Sequence, residues 1–277
     1  MRRESGPQRG GRQQAAGPGG DGRYTIRAVT RAIDLLDAVA EDQGRRTLSD
    51  LARQTGLHAS TTLRYLESLR ERGLIVQTSS GGYRLGARLF ELGSAFTRGI
   101  SLWEHAQEIA RDLSIRVNET ASVGILDDGR ILYIAIENGQ RELGIQWRPG
   151  TRHPAHCTAL GKAILACMPW PAVNSLLVSH PPEKLTTRTI TEPGALRSEL
   201  EVTAQRGFAI DDEERAQGVV CVGASIRDFS GSVAGAISIS GPKFRLASSQ
   251  LRSYADLVRG SADEASRRLG YVYPEKR

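Results

Sequence analysis

The 277-residue sequence holds no run approaching the roughly 18–20 apolar residues that a spanning helix needs. A membrane-spanning chain is excluded on that count, and no membrane partner is expected. Cysteine is scarce, with three at Cys157, Cys167 and Cys221. That odd, dispersed set excludes a disulfide scaffold and points to a reducing cytoplasm. Aromatic residues are only 5% of the chain, too few for a surface of stacking platforms on single-stranded nucleic acid. Residues 1–22 have four Arg but no apolar segment, which excludes a signal peptide there. Lysine is missing altogether from residues 1–100.

What is present is ordinary globular material, 39% hydrophobic and 25% charged. The length suits two domains of about 100–200 residues. The charge is unevenly placed. Residues 1–100 carry 16 Arg against 10 acidic residues, while residues 101–277 carry 21 basic and 21 acidic. The whole excess of +6 therefore sits in the first third, as expected of a polyanion-binding module joined to a neutral one. Only +2 of it comes from residues 1–22, a stretch with seven Gly, two Pro and no Ile, Leu, Val or Phe. That basic tail is expected to be disordered, with order starting near Tyr24.

From Thr25 the periodicity is helical, with Ile26, Val29, Ile33, Leu36 and Val39-Ala40 on one stripe. A second helix is predicted from Leu48 to about Thr55, capped by Thr47 with Asp50 three residues on and closed by Gly56. A third runs from about Ser60 to Gly73 with Thr62, Leu66 and Leu69 inward. Leu74–Val76, the Ser79–Gly82 turn and Tyr83–Leu85 form a hairpin. Helices follow at 86–98 and about 102–117. The remainder alternates strands (121–126, 131–137, 143–147, 208–210, 219–226, 233–240) with helices (158–166, 173–179, 193–206, 246–269). That order predicts an antiparallel sheet with helices packed on it, in an α+β chain.

The second and third helices, their tight turn and the hairpin make a winged helix-turn-helix. Its third helix would enter the major groove N-terminus first. Ser60, Thr61, Arg64 and Tyr65 lie at that end, and Arg64 suits a guanine edge or a phosphate. Arg45, Arg46 and Thr47 precede the second helix and are placed for phosphates. Ser79, Ser80 and Arg84 sit on the wing.

The run Leu51-Ala-Arg-Gln-Thr-Gly-Leu-His-Ala-Ser-Thr-Thr-Leu-Arg-Tyr-Leu-Glu-Ser-Leu-Arg-Glu-Arg-Gly-Leu74, with Tyr83-Arg-Leu-Gly86, resembles the reading head of the IclR-type bacterial transcriptional regulators. His156-Cys-Thr-Ala-Leu-Gly-Lys-Ala163, Gly207-Phe-Ala-Ile-Asp-Asp-Glu-Glu214, Gly218-Val-Val-Cys-Val222 and Ala236-Ile-Ser-Ile-Ser-Gly-Pro242 resemble four further blocks of that family. The similarity spans about residues 24–270. It implies a winged helix-turn-helix over 23–85, a linker helix over 86–101 and a GAF-like effector domain over 102–272. It also implies a homodimer or dimer of dimers on palindromic double-stranded operator DNA, acting as repressor or activator. Two departures stand out. Ala59 replaces a frequent Lys, and Tyr65 stands where Leu is frequent.

The resemblance implies a small organic or aromatic acid as effector. Backbone N–H groups of Ala159 and Leu160 at a helix start suit a carboxylate. By resemblance Asp211, Cys221, Ser238 and Ser240 line the same pocket. Ser238 and Ser240 share one strand face, Ile237 and Ile239 the other, and Val219 pairs with Cys221 in the same way. Leu143, Ile145 and Trp147 are the expected apolar wall. The helices at 86–98 and 102–117 are expected to transmit the ligand's effect.

Other chemistries fit less well. Gly223-Ala-Ser225-Ile lacks the second Gly of a nucleophile elbow, and Gly161-Lys162-Ala163 lacks both the upstream Gly and the Ser/Thr of a phosphate loop. No enzyme activity is expected. His153, His156 and Cys157 supply three metal donors where zinc wants about four, so no metal or cofactor is expected. His156 reads as structural and His153 as a surface residue. The alternative is a GAF-like thiol enzyme or redox sensor with an accessory DNA-binding module, using Cys157 beside His156 or, for an enzyme, Cys221.

Overall fold

A computed structural model describes residues 26–42, 44–97, 102–246 and 250–272. The 1–22 tail, the start of order near Tyr24 and residues 98–101 of the expected linker lie outside the described residues. The chain forms two compact units that divide between Ala95 and Phe96.

The first unit is α1 (Arg27–Glu41), α2 (Leu48–Thr55), α3 (Ala59–Glu71), β1 (Ile75–Gln77), β2 (Tyr83–Leu85) and most of α4 (Ala87–Thr97). Thr47 and Asp50 close a reciprocal capping box on α2, in which the Thr47 hydroxyl accepts the Asp50 N–H and Asp50 accepts the Thr47 N–H. Gly56 ends α2 with φ 66°, a left-handed turn that costs glycine no steric penalty. Thr62, Leu66 and Leu69 are the buried side of α3, as their spacing predicts. Leu35, Leu51, Leu66 and Ile75 are fully enclosed, each contributing about 1.5–3 kcal/mol of apolar burial. β1 and β2 pair antiparallel, and the Tyr83 N–H donates to the Arg46 carbonyl, tying the wing to the chain before α2.

The α1 stripe differs from its expected role. The core-facing residues are Leu35, Ala38 and Val39. Ile26, Val29 and Ile33 are 68%, 54% and 52% exposed. The sequence period is helical as predicted, but half of the stripe has no partner within this unit. Phe90 and Leu92 on α4 are exposed in the same way.

The second unit comprises α5 (Trp103–Val117), β3 (Thr120–Asp127), β4 (Arg130–Glu137), β5 (Arg152–Pro154), α6 (Ala159–Leu165), α7 (Trp170–Ser179), α8 (Pro193–Arg206), β6 (Ala209–Asp212), β7 (Val219–Arg227), β8 (Val233–Pro242) and α9 (Leu251–Arg268). Its six strands form one antiparallel sheet in the order β5-β4-β3-β8-β7-β6. One face carries Val123, Val222, Ala224, Ile237 and Ile239 into a core with α5 and α9. The opposite face is covered by α6, whose inner residues join Ile131, Tyr133, Ile136 and Ala209. Residues 143–147 form no strand, contrary to their alternating pattern. They lack a ladder partner, and the strand that does pair with β4 is the shorter β5.

Candidate nucleic-acid interface and ligand site

The first candidate site is the N-terminal end of α3. No side chain caps it and its first turn has no acidic residue, so its amide dipoles stay available to an anion. Ser60, Thr61 and Arg64 are exposed there, and Arg64 has no ion-pair partner among the described residues. Arg45, Ser79, Ser80 and Arg84 are also exposed. Ser80 shares a 2.9 Å hydroxyl contact with Thr78.

Three predicted contacts are otherwise engaged. Arg46 donates to Glu41 at 2.9 Å and lies 3.8 Å from Asp42, so its charge is locally compensated. The Thr47 hydroxyl is committed to the α2 cap, where it also holds the Asp50 carboxyl below the usual carboxylate range. Tyr65 is half-buried against the core. Leu63, which was not singled out from the sequence, is exposed on α3, as its position off the Thr62, Leu66, Leu69 stripe would have indicated.

The second candidate site is built on the α6 face of the sheet. Thr120, Ser240, Cys221 and Asp211 stand side by side in one register row across β3, β8, β7 and β6. Ser122, Ser238, Gly223 and Ala209 form the next row on the same face. Ser238 and Ser240 thus share one face and Ile237 and Ile239 the other, as their spacing requires. α6 approaches this face closely. A Cβ on Gly223 would lie 2.8 Å from the Ala159 carbonyl carbon, so only glycine admits the start of the helix. Thr158 caps α6 by accepting the Gly161 N–H at 3.2 Å.

Asp211 is buried and accepts the backbone N–H groups of Glu214 at 2.8 Å and Arg215 at 3.2 Å. Burial pushes its carboxyl up to about 7, with the Glu214 charge acting in the same direction. Glu214 is fixed in turn by the fully buried Lys162, which also lies 3.4 Å from Glu199. Thr189 donates to the Glu214 carbonyl at 2.7 Å. The 211–215 turn is therefore braced from two sides.

The apolar wall differs from expectation. Leu143 is 62% exposed, and its carbonyl accepts Arg245. Ile145 is half-buried, and its carbonyl accepts the Thr120 hydroxyl. Trp147 packs against the α6-side core. Val219 is half-buried opposite Pro242, on the face shared with Cys221.

His153 is a correction, because it is buried rather than a surface residue. Its ring meets Trp147 edge-on at 4.8 Å and Tyr133 at 5.2 Å. The Arg215 guanidinium contacts it at 3.2 Å and stands 5.7 Å from the Trp147 ring centre. Burial, with the Arg215 charge, pulls the His153 imidazole down to about 4, so it is neutral at pH 7. Tyr133, buried beside Cys221 and Asp211, is shifted upward by burial. Thr120, Ser122, Tyr133 and Arg215 were not singled out from the sequence. The i, i+2 spacing of Thr120 and Ser122 was the available signal for the first two.

The metal donors diverge. His156 Nε2 lies 3.0 Å from the Glu183 carbonyl, Cys157 Sγ lies 3.8 Å from the Pro154 carbonyl, and His153 faces the aromatic cluster. Burial pushes the Cys157 thiol up to about 12, and raises Cys221 as well. Thiols held protonated in this way are poor nucleophiles.

The family model for the IclR helix-turn-helix domain matches residues 28–79, and that for the bacterial transcriptional regulator IclR C-terminal region matches residues 95–267. The chain belongs to the IclR family of bacterial transcriptional regulators. Among IclR-family relatives, the HTH-type transcriptional regulator BhcR of Paracoccus denitrificans is 35% identical, over 92% of this chain and 91% of its own. The crystal structure of Thermotoga maritima IclR has a TM-score of 0.75 at 30% identity, covering 88% of this chain and 99% of that one. An IclR homolog of Microbacterium hydrocarbonoxydans, solved with 4-hydroxybenzoate, has a TM-score of 0.74 over 87% of this chain and 98% of its own. At 23% identity it shows the fold alone. Among the described residues, no helix of this IclR-family chain is long and apolar enough to cross a membrane.

Proposed function

We propose that this chain is a ligand-responsive regulator that binds palindromic operator DNA as a dimer or dimer of dimers. Its first unit is the DNA-binding domain and its second the effector domain, with residues 86–101 as the linker. The effector is a small organic or aromatic acid, and the protein works in the cytoplasm without catalysing a reaction.

The observation that carries this reading is the pairing of two features in one chain. The first unit leaves the uncapped N-terminal end of α3 and Arg64 open to a polyanion. The second buries a polar row, Thr120, Ser240, Cys221 and Asp211, with Ser122 and Ser238 beside it, on the face that α6 covers. On this reading Ser60, Thr61 and Arg64 meet base edges, with Leu63 available to a thymine methyl, while Arg45 and Arg84 meet phosphates. A second copy covers the exposed Ile26, Val29 and Ile33 stripe of α1, which would otherwise leave apolar surface in water. The 4-hydroxybenzoate bound by the Microbacterium homolog fits the same class of ligand. The buried, protonated thiols of Cys157 and Cys221 do not favour the thiol-enzyme or redox alternative.

The test is fluorescence anisotropy with DNA from upstream of the chain's own gene, at stated salt, with and without benzoate, 4-hydroxybenzoate and short-chain acids. Specific binding changed by one of these acids is expected. Binding equal to that of random DNA at every salt concentration contradicts the reading.

A further inference from the structure

We propose that Arg215 binds the carboxylate of the effector and makes the site select a planar acid over its neutral amide. This rests on the reading of the second unit as an acid-binding domain and names the residue that carries the charge recognition.

The first argument is the state of the guanidinium. Arg215 is half-buried, and no carboxylate lies within ion-pair distance of it among the described residues. Of the other enclosed cations of this unit, Arg227 donates to the Gly231 carbonyl at 2.8 Å and lies 3.3 Å from Cys167 Sγ, while Lys162, Arg206 and Arg245 are ion-paired. Lys162 meets Glu214 and Glu199, Arg206 meets Glu199 at 2.9 Å, and Arg245 meets Glu119 at 2.5 Å. A cation withdrawn from water without a counter-ion is costly, and an incoming carboxylate removes that cost. His153, its nearest polar neighbour, is neutral and supplies no compensating charge.

The second argument is position. Asp211, the end of the polar row, accepts the Arg215 backbone N–H at 3.2 Å, and the Arg215 guanidinium meets His153 at 3.2 Å, which places it beside that row. Its backbone is pinned by Asp211, and the neighbouring Glu214 by Lys162 and Thr189. The guanidinium is therefore held before the ligand arrives, which lowers the ordering cost of binding.

The third argument is the surroundings. Trp147 and His153 stand against it, with Tyr133 packed on His153 in turn, flat rings suited to a planar group. On the same face of the sheet as the polar row, the Ser122 hydroxyl is fully buried with no hydrogen-bond partner, an unsatisfied group of the kind a polar ligand atom completes.

The test uses the full chain and compares binding of benzoate and 4-hydroxybenzoate with that of benzamide and 4-hydroxybenzamide by calorimetry. Wild type should prefer acid to amide by at least about tenfold. In Arg215→Gln the acid should weaken by about 10–100-fold, the range of a charge-assisted bond, while the amide is unchanged and operator affinity is retained. A Gln variant that keeps the preference overturns the proposal. Phenylglyoxal labelling of wild type followed by mass spectrometry decides without a substitution, even if Arg215→Gln fails to fold. Bound acid should protect Arg215, and equal labelling with saturating acid overturns the assignment. Wild type that binds operator but none of these acids would contradict the acid-binding reading itself, a result distinct from failure of Arg215 alone.

Discussion

The Asp211 carboxylate accepts the backbone N–H of Arg215 at 3.2 Å, linking the buried acid of the sheet to the one guanidinium that faces the aromatic cluster. Asp211 is thus part of the architecture of its turn as well as a wall of the proposed site. Asp211→Ala should lose both backbone hydrogen bonds and destabilise the second unit by about 1–3 kcal/mol, read as a lower Tm. Asp211→Asn keeps an acceptor and should lose less than half as much. Ser240→Ala should instead leave Tm and DNA binding intact while removing the acid response.

The Asp211 shift sets a pH dependence. Its folded value lies near 7, well above the ordinary aspartate value, so the folded state holds the proton where the unfolded state has released it. This contribution to stability is full below about pH 4 and is lost as pH rises toward 7. His153 works in the opposite sense, because its folded value near 4 makes stability fall as pH drops below 6.5. The two terms oppose each other between pH 4 and 6.5. Ligand binding is the cleaner readout. An anionic acid should bind more tightly below pH 7, where Asp211 is neutral, than at pH 8. In Asp211→Asn that dependence should disappear from isotherms over the same range.

Lys162 holds the loop from below, with no exposed surface of its own and Glu214 as its buried partner. Lys162→Met leaves Glu214 uncompensated and should cost about 3–5 kcal/mol, measured by chemical unfolding of the second unit's signal.

On the DNA side, Arg64→Ala should weaken operator binding by about 1–3 kcal/mol and relax preference at one base pair. Arg46→Ala should cost less, because Glu41 and Asp42 already compensate that guanidinium. Thr47→Ala should act on stability instead, lowering it by about 1 kcal/mol through loss of the α2 cap. Competition titrations and thermal melts separate these outcomes.

Much of this was readable from the chain because the signals were local. The Thr47–Asp50 cap, the Gly56 turn and the Thr62, Leu66, Leu69 spacing each specify their own few residues. The two-residue spacing of Ser238 and Ser240 fixed their shared face in the same way. What escaped the sequence depends on chain segments that meet only in the fold. The pattern at 143–147 imitates a strand, yet Thr120 and Arg245 hold that segment as a loop by its carbonyls. His153 gave no local sign of burial, because Trp147, Tyr133 and Arg215 enclose it from three separate segments. The α1 stripe was legible as apolar, but nothing in this unit covers Ile26, Val29 and Ile33.

That stripe yields its own prediction. Val29→Asp or Ile33→Asp places a charge on surface that is already exposed in the single chain, so folding should survive. Sedimentation should show the assembly dissociating, with a matching loss of operator affinity.

The most direct test of the central claim is operator binding of the full chain, followed at fixed salt as each acid is titrated. A specific complex whose affinity shifts with one acid, and which remains but no longer responds in Ser240→Ala, is the predicted result. A complex that ignores every acid while wild type and Ser240→Ala behave alike would contradict it.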